Sequence, residues 1–217
     1  GSLIKLKYTS QISDRLSLSG GLGLVNQKFI TEYDLTLPYS IGEEIVENGI
    51  GHIDFEHSLP TSFGNTDTEL RLRRPDIDQS IELENVNIDF NTEHNFLSLS
   101  VPLSIDYLSN DLASGFFIGV DAVPSYIISA SSGISSVVSQ HNKIEPVNNR
   151  STSDYKELQK LNLSIGAHLG YRYPLSPKSG LEFSANYLRN LNNYYSSATF
   201  SSRSQGIQLS AGYFFRF

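Results

Sequence analysis

The last eleven residues of the chain alternate between large apolar side chains and side chains that are mostly small or polar. Every odd-numbered position from Ile207 to Phe217 is apolar. Successive side chains of a β-strand point to opposite faces, so this period of two predicts a strand with one apolar face. The chain therefore ends in a strand whose apolar face needs an apolar surrounding, either a protein core or a lipid bilayer.

Six other segments of the sequence show the same alternation. Each can supply the roughly 9 to 11 residues that a tilted strand needs to cross a bilayer. The rows opposite the apolar ones consist largely of serine, glycine and charged residues, whereas a soluble lipocalin-like barrel would place its large apolar residues inside. We therefore disfavour that alternative. The apolar rows begin at Ile4, Leu16, Leu97, Phe116, Leu161 and Leu181.

Short and long connections alternate between these segments. Residues 12–14, 108–115 and 174–180 are short links, and residues 30–94, 130–156 and 195–205 are long ones. Short periplasmic turns and long outer loops are typical of outer-membrane barrels. We predict an all-β fold, a transmembrane antiparallel up-and-down β-barrel in the bacterial outer membrane, forming a single domain over residues 1–217.

The number of readable strands is odd. Seven strands would leave two open sheet edges, and unsatisfied backbone groups in lipid cost several kcal/mol each. We therefore expect eight strands, the first of them upstream of Gly1. The alternative is that part of residues 30–94 supplies the closing strand.

Composition and charge restrict the possible chemistry. The chain has no cysteine, methionine or tryptophan, so it has neither a disulfide framework nor a thiolate site. Its net charge is −7, and residues 30–94 carry 3 basic and 15 acidic side chains, or 3 − 15 = −12. No nucleic-acid partner is expected for such a chain. These acids could bind divalent cations or a basic envelope protein, and a simple solvated face is the alternative.

The polar rows contain charged residues that would face the lumen. An eight-stranded barrel is only just wide enough for its own side chains, and unpaired buried charges are costly. We predict an ion-paired network that fills the lumen in place of an open pore. Its members are Lys5, Lys7, Asp106, Asp121, His168, Arg172, Glu182 and Arg216.

Candidate catalytic and metal sites are weak in this sequence. Asp121 and His168 could form an acid–base pair, but no nucleophile with a local signature accompanies them. We therefore predict no catalytic residue, no cofactor and no metal. The other histidines show no metal-binding spacing and are expected to be solvated in loops. They are His52, His57, His94 and His141.

Several stretches together resemble a known family. SDRLSLSGGLGL (13–24), FLSLSVPLSIDYL (96–108), KLNLSIGAHLGYRYPLSPKSGLEFSANY (160–187) and IQLSAGYFFRF (207–217) resemble the small porin-family outer-membrane barrels of the Bacteroidota, which are similar in build to OmpA and OmpX. The resemblance covers about two-thirds of the chain and leaves out the loops 30–94 and 130–156. It implies that the barrel-assembly machinery reads the terminal aromatic residues Tyr213, Phe215 and Phe217.

The expected function is that of a non-enzymatic outer-membrane anchor, sensor or partner-binding component, alone or as the C-terminal barrel of a larger envelope protein. Loop 30–94 contains several alternating stretches that predict strands continuing beyond the membrane, and it would carry the partner-binding surface. The serine-rich and polar residues of 130–156 predict a mobile second outer loop. The alternatives are a small-solute or ion channel and, less favoured, a barrel hydrolase or acyltransferase.

Overall fold

The computed structural model describes residues 2–61, 63–74, 85–109, 114–140, 144–153, 155, 158–176, 179–193, 195–196, 201–202 and 204–215. Its secondary structure is antiparallel β-sheet apart from one 3-10 turn at Ile41–Glu43. The prediction of an all-β fold is confirmed. In the described part of the chain, no helix is long and apolar enough to cross a membrane.

The strands differ widely in length, from two residues to 25. The longest ones are β2 and β8, each of which exceeds the length that a bilayer crossing needs. The strands are β1 (Ser2–Ser13), β2 (Leu16–Pro38), β3 (Ile45–Glu47), β4 (Ile50–Thr61), β5 (Gly64–Arg74), β6 (Asn85–Ser100), β7 (Leu103–Leu108), β8 (Gly115–Ser139), β9 (Glu145–Ser153), β10 (Leu161–Ser176), β11 (Ser179–Asn190), β12 (Tyr195–Ser196), β13 (Ser201–Ser202) and β14 (Gln205–Phe215).

One large sheet contains all seven strand segments that the sequence predicts. Its order is β1-β2-β6-β8-β10-β11-β14, and β7 pairs with β2 and β8. The strands β6 and β7 therefore share one position between the same two neighbours. Two smaller sheets accompany it, with the orders β3-β4-β5-β9 and β12-β13.

The third predicted segment, 97–107, is interrupted between β6 and β7. The interruption falls at Val101 and Pro102, because proline has no N–H to donate to the ladder. Neighbouring strands still bind the chain there: the Gly21 N–H donates to the Pro102 carbonyl at 3.0 Å, and the Val101 N–H donates to the Pro124 carbonyl at 2.9 Å. The break therefore leaves the strand order intact.

The chain divides into two compact units. Unit 1 comprises residues 1–26, 97–129 and 158–217, and unit 2 comprises residues 27–96 and 130–157. The composition of residues 130–156 predicts a mobile loop. In the structure, 130–139 belong to β8 and 145–153 form β9, which pairs with β5. Much of the predicted loop is therefore regular strand, because β9 pairs with β5, a strand that is distant in the sequence.

The sheet of unit 1 is strongly curved. Lys7 on β1 and Glu182 on β11 lie five strand positions apart, which is about 24 Å across a flat sheet. Their charged atoms, Lys7 Nζ and Glu182 Oε1, are only 3.9 Å apart. The sheet therefore curls until its first and sixth strand positions meet on the concave side.

Unit 1 has a largely polar interior, in which Leu108, Phe117 and Ile127 are also buried, and an apolar exterior. Its buried residues include Ser17, Ser19, Ser104, Asp106 and Arg172. Large apolar side chains occupy the opposite faces of the same strands and are exposed. They include Ile4, Leu6, Leu18, Leu22, Leu99, Ile105, Ile118, Val120, Ile165, Leu169, Phe183, Ile207 and Leu209.

Unit 2 has the opposite arrangement, with an apolar interior. Side chains from β2 and β6 of the large sheet and from the sheet β3-β4-β5-β9 pack into one cluster. The phenylalanines Phe29, Phe63 and Phe96 form a second group, with ring centroids 4.9 to 5.7 Å apart. Unit 2 therefore has the core of an ordinary water-soluble β-structure. Its main cluster consists of Leu37, Tyr39, Ile53, Leu70, Leu72, Val86, Ile88 and Ile144.

The buried and exposed side chains of β6 alternate along its whole length, but the polarity of its two faces changes. Its buried row begins with Val86, Ile88 and Phe90 and ends with Ser98 and Ser100. The other row is polar from Asn85 to Asn95 and then becomes apolar at the exposed Leu97 and Leu99. The inside and the outside of this strand therefore exchange polarity between residues 95 and 98.

The strand β2 shows the same exchange. Leu22 and Leu24 are exposed on its outer row, and Asn26 and Lys28 continue that row with polar side chains. Ile30 is an apolar exception, 55% exposed. The buried row changes in the opposite sense, from serines at 17 and 19 to Leu37.

Candidate functional site

Five strands of unit 1 bring charged side chains together on the concave face of the sheet. Period-two alternation puts each of these residues on the inward row of its strand. We call this group the inner ion cluster. Its members are Lys7 on β1, Asp106 on β7, Asp121 on β8, His168 and Arg172 on β10, and Glu182 on β11.

Asp106 is the centre of the inner ion cluster. Its side chain is completely buried, with 0% exposure. Oδ1 lies 3.0 Å from His168 Nε2, and Oδ2 lies 3.5 Å from both Lys7 Nζ and an Arg172 guanidinium nitrogen. The Ser17 hydroxyl also lies 3.5 Å from Oδ2. A buried carboxylate needs such partners because an unpaired charge is very costly away from water.

His168 bridges two carboxylates. Its Nδ1 lies 2.7 Å from Asp121 Oδ2, while its Nε2 faces Asp106. Both ring nitrogens can donate at the same time only if the imidazole is protonated. With His168 charged, the inner ion cluster has three basic and three acidic side chains and is electrically balanced.

Gly119 makes the space that the His168 ring occupies. A Cβ atom at position 119 would lie 2.6 Å from His168 Nε2 and 2.5 Å from the Ile105 carbonyl oxygen. Both distances are too short for any side chain. Glycine at this position is therefore a condition for the His168 contacts.

Arg172 anchors the other end of the inner ion cluster. Its Nε donates to Glu182 Oε2 at 2.8 Å, and its guanidinium carbon lies 4.7 Å from the centre of the Phe117 ring. The ring thus covers one face of the cation, which is a favourable cation–π geometry. Salt bridges and this aromatic contact fix the side chain inside the sheet.

The acidic and basic side chains of the inner ion cluster neutralise each other's charge. Each carboxylate has a basic partner, and no reactive thiol is present because the chain has no cysteine. In the described part of the chain, no group of three or more metal-ligating side chains is placed to hold an ion. The arrangement places ion-paired side chains across the concave face of the sheet of unit 1.

Six of the eight predicted network residues form the inner ion cluster. Lys5 lies on the same row of β1 as Lys7, within coulombic range of Asp121, Glu182 and Asp106, but forms no salt bridge with a described residue. Arg216 lies outside the described residues.

The terminal aromatic residues of the predicted assembly signal are only partly described. Tyr213 lies on the outer row of β14 and is 53% exposed. The backbone of Phe215 pairs with Ser179. Phe217 lies outside the described residues.

Unit 2 contains a buried ion pair that no pattern in the sequence predicts. Arg74 donates from two nitrogens to the Glu44 carboxylate at 2.9 and 2.6 Å, and the Tyr39 hydroxyl donates to the same carboxylate at 2.7 Å. The side chains of Arg74 and Glu44 are 6% and 3% exposed. Glu44 was expected on a solvated or partner-binding acidic face, and it serves an internal contact instead.

The contacts of this ion pair shift two pKa values. The hydrogen bonds from Arg74 hold the pKa of Glu44 below its ordinary value of 4.5. Burial, reinforced by the hydrogen bond to Glu44, raises the pKa of Tyr39 to about 12. Alternation alone could have placed Arg74 on the buried row of β5, but no local pattern identifies Glu44 as its partner.

The expectation that the loop histidines are solvated is wrong for His94. Its side chain is completely buried, its Nδ1 lies 3.0 Å from the Tyr155 hydroxyl, and burial lowers its pKa. It lies on the inward row of β6, a strand within the predicted long loop 30–94. His141 lies outside the described residues.

No protein-family model, curated protein or solved structure matches this chain.

Proposed function

We propose that the chain is an outer-membrane β-barrel protein in which unit 1 crosses the lipid bilayer and unit 2 lies in water as a partner-binding module. The exchange of polarity along β6 carries this proposal. One continuous strand has apolar residues outside in unit 1 and inside in unit 2. A single strand has this pattern when it passes from a lipid environment into an aqueous one.

The energetics of the exposed apolar rows favour lipid as the surrounding of unit 1. Ile118, Leu169 and Leu209 are 60%, 60% and 79% exposed, and similar residues occupy the outer row of every strand position. Each Å² of apolar surface kept out of water is worth about 25 cal/mol. An apolar surface of this extent is unfavourable in water and favourable in hydrocarbon.

The inner ion cluster favours an anchor over a channel. It links β1, β7, β8, β10 and β11 across the interior of the curved sheet. Its central carboxylate has no contact with solvent. A solute would have to displace a balanced set of salt bridges to pass, so we propose that unit 1 holds the protein in the membrane without conducting.

The outer face of β4 and β5 favours a basic partner for unit 2. Glu56 and Glu69 are directly opposite each other in the strand register, and both are exposed. Asp67 lies two residues from Glu69 on the same face. Opposed like charges destabilise a sheet, and a basic partner surface would relieve the part of this repulsion that Arg150, opposite Glu69 on β9, does not offset.

Cysteine labelling tests the membrane topology directly, since the chain has no thiol of its own. Asn91→Cys and Leu99→Cys place single thiols on the same row of β6. In lipid vesicles we expect a membrane-impermeant maleimide to label Asn91→Cys and to leave Leu99→Cys unlabelled until detergent denaturation. Equal labelling of both variants in intact vesicles would refute the proposed topology.

The partner-binding role is tested by charge reversal on the acidic face. We expect the immobilised protein to retain a basic envelope protein that is lost from the Glu56→Lys and Glu69→Lys variants. Glu43→Lys is the matched control, because Glu43 is exposed and lies outside this face. Retention that is unchanged in all three variants would show that the acidic face is only solvated surface.

A further inference from the structure

The sheet β3-β4-β5-β9 of unit 2 leaves part of β4 without a strand neighbour on one side. The short strand β3 pairs with β4 only as far as His52, whereas β5 pairs with β4 from Gly51 to Thr61. From Ile53 onwards, β5 is therefore the only strand neighbour of β4 among the described residues. Such an edge offers unpaired backbone groups to a further strand.

The turn between β3 and β4 shows which backbone groups face the open edge. This two-residue turn consists of Asn48 and Gly49, both with positive φ, and is closed by the register partners Glu47 and Ile50. In an antiparallel pair, every second residue exchanges both backbone hydrogen bonds with its partner. The even-numbered residues of β4 therefore face the side of β3, and the odd-numbered residues face β5.

The open edge consists of three residues, Asp54, Glu56 and Ser58. Their N–H and C=O groups point toward the side on which no described strand pairs with them. The next residue on the same row, Pro60, has no N–H and ends the run of donors. The strand β3 closes the other end at His52. The edge is therefore a short docking site with a boundary at each end.

We propose that this edge binds an extended segment of a partner protein by strand addition, antiparallel to β4, with basic side chains on the outer row of the segment and apolar ones on its inner row. The proposal rests on the proposed function of unit 2 as a module for a basic partner. It names the structure that this partner presents. The antiparallel direction follows the rest of the sheet, in which all pairs are antiparallel.

The outer row of the edge carries an acidic side chain without a basic neighbour on its own strand or across the ladder. Glu56 is exposed, forms no salt bridge with a described residue and lies directly opposite Glu69. Arg150 lies on the far side of Glu69, on β9. Asp54 is already held by Arg71 at 2.6 and 2.7 Å. A basic residue on an added strand would lie across from Glu56, where opposite charges stabilise a strand pair.

A pocket on the outer face of β4 and β5 lies beside this edge. Three of its four charged side chains are acidic, so it favours a cation. A basic side chain opposite Glu56 has this pocket within its reach. The lining residues are Asp54, Phe55, Glu56, Glu69, Leu70 and Arg71.

The inner row of β4 favours apolar side chains in the partner. Phe55 is half-buried and packs against the main apolar cluster of unit 2. Leu59, on the same row, is also half-buried. A strand added at the edge would cover apolar surface that these two residues still expose, which is favourable in water. We therefore expect basic and apolar residues to alternate in the bound segment.

A second copy of the chain fits this edge poorly. Two β4 edges paired antiparallel about Glu56 would place the two Glu56 side chains directly opposite each other. Like charges in this position destabilise a sheet, and charged side chains on an edge are a common protection against self-association. The acidic edge thus selects a basic strand over a copy of itself.

Backbone methylation of a peptide tests strand addition at constant charge. The peptide TVKVKVT has its lysines on one row and its valines on the other, and a fluorescent label reports its binding to the full chain in uncharged detergent micelles. In antiparallel addition the lysine N–H groups donate to β4, while the valine N–H groups point away. We expect N-methylation of both lysines to lower the affinity by about tenfold or more, and N-methylation of the valines to change it by less than about threefold.

A proline on the edge tests the same contact from the side of the protein. The Ser58 N–H faces the open edge, so Ser58→Pro should leave the β4–β5 ladder intact, as Pro60 does on the same row. We expect Ser58→Pro to bind TVKVKVT about fivefold or more weakly at unchanged charge. Ser58→Ala keeps the N–H and should bind as the wild type does. The peptide comparison uses the wild-type chain, so it decides the question even if Ser58→Pro does not fold.

Equal binding of the two methylated peptides, or no binding of TVKVKVT, would overturn the strand addition. A larger loss on valine methylation, as parallel addition predicts, would also overturn it, and so would a chain dimer that Ser58→Pro abolishes. None of these results would alter retention of a basic envelope protein that depends on Glu56 and Glu69. A failure of strand addition is therefore distinguishable from a failure of the proposed partner-binding role.

Discussion

At the scale of single residues, Gly119→Ala should destabilise unit 1. The added methyl group would meet His168 Nε2 and the Ile105 carbonyl oxygen, and overpacking of this kind costs about 1–3 kcal/mol. Urea unfolding in detergent micelles measures the effect. Gly133→Ala is the control, because nothing lies within 4 Å of a Cβ atom there. Equal unfolding midpoints for the two variants would contradict the role given to Gly119.

Alternation predicts which side chains face inward, but not which of them meet. The six members of the inner ion cluster lie on the polar rows of five predicted segments. Their partners depend on the curvature of the sheet: the contact of Lys7 with Glu182 joins the first and sixth strand positions. Curvature is a non-local property, so the pairing could not be read from local pattern.

Glu44→Gln should destabilise unit 2 by about 3 kcal/mol, because it removes the anionic half of an ion pair whose two side chains are both buried. The pH dependence follows from the lowered pKa of Glu44. The unfolded chain binds this proton more readily than the folded chain, so the stabilisation is present above pH 4.5 and is lost as the pH falls through the lower folded-state pKa.

Unfolding midpoints measured from pH 7 to pH 3 test this dependence. Wild-type stability should decline over the acidic part of the range, and the decline should be smaller in Glu44→Gln. Glu43→Gln, at an exposed neighbouring position, should follow the wild type. A Glu44→Gln profile parallel to the wild-type profile would rule out this ion pair as a source of acid sensitivity.

At the scale of elements, the period of two located all seven strand positions of the large sheet. It did not predict the break at Pro102, because the alternation of apolar residues continues from Leu99 to Ile105. The alternation continues there since hydrogen bonds from the adjacent strands keep the chain in line across the break. It predicted strands within residues 30–94, but not the pairing of β5 with β9, in which Thr66 lies opposite Ser153 across a long stretch of sequence. Polar strands of this kind depend on distant partners. The polarity exchange in β6 was readable from the sequence, since the apolar row changes parity near residue 96.

Glu56→Lys should stabilise the β4–β5 pair. It replaces a directly opposed pair of like charges with an attractive pair, a change worth about 0.2–1 kcal/mol. Thermal unfolding at low ionic strength measures this gain. Because the interaction is exposed and screened by salt, the difference from the wild type should shrink in 1 M salt. A lower midpoint for the variant at low salt would contradict the repulsion inferred at this position.

At the scale of the whole molecule, the salt bridges across the interior of unit 1 predict a protein that does not conduct. Protein inserted into planar bilayers should give no open-pore current steps, because the inner ion cluster joins five strands across the interior. Stable, ohmic current steps typical of a wide porin would show that the cluster does not close the lumen, and would favour a channel.

The central claim is that the outer apolar rows of unit 1 touch lipid. Tryptophan fluorescence tests it most directly, because the chain has no tryptophan and each introduced one reports alone. Leu99→Trp and Asn91→Trp stand on the same row of β6 on opposite sides of the polarity exchange. In vesicles of lipids with brominated acyl chains, we expect strong quenching of Leu99→Trp and little quenching of Asn91→Trp. Unquenched emission from Leu99→Trp in fully folded, vesicle-bound protein would contradict the claim.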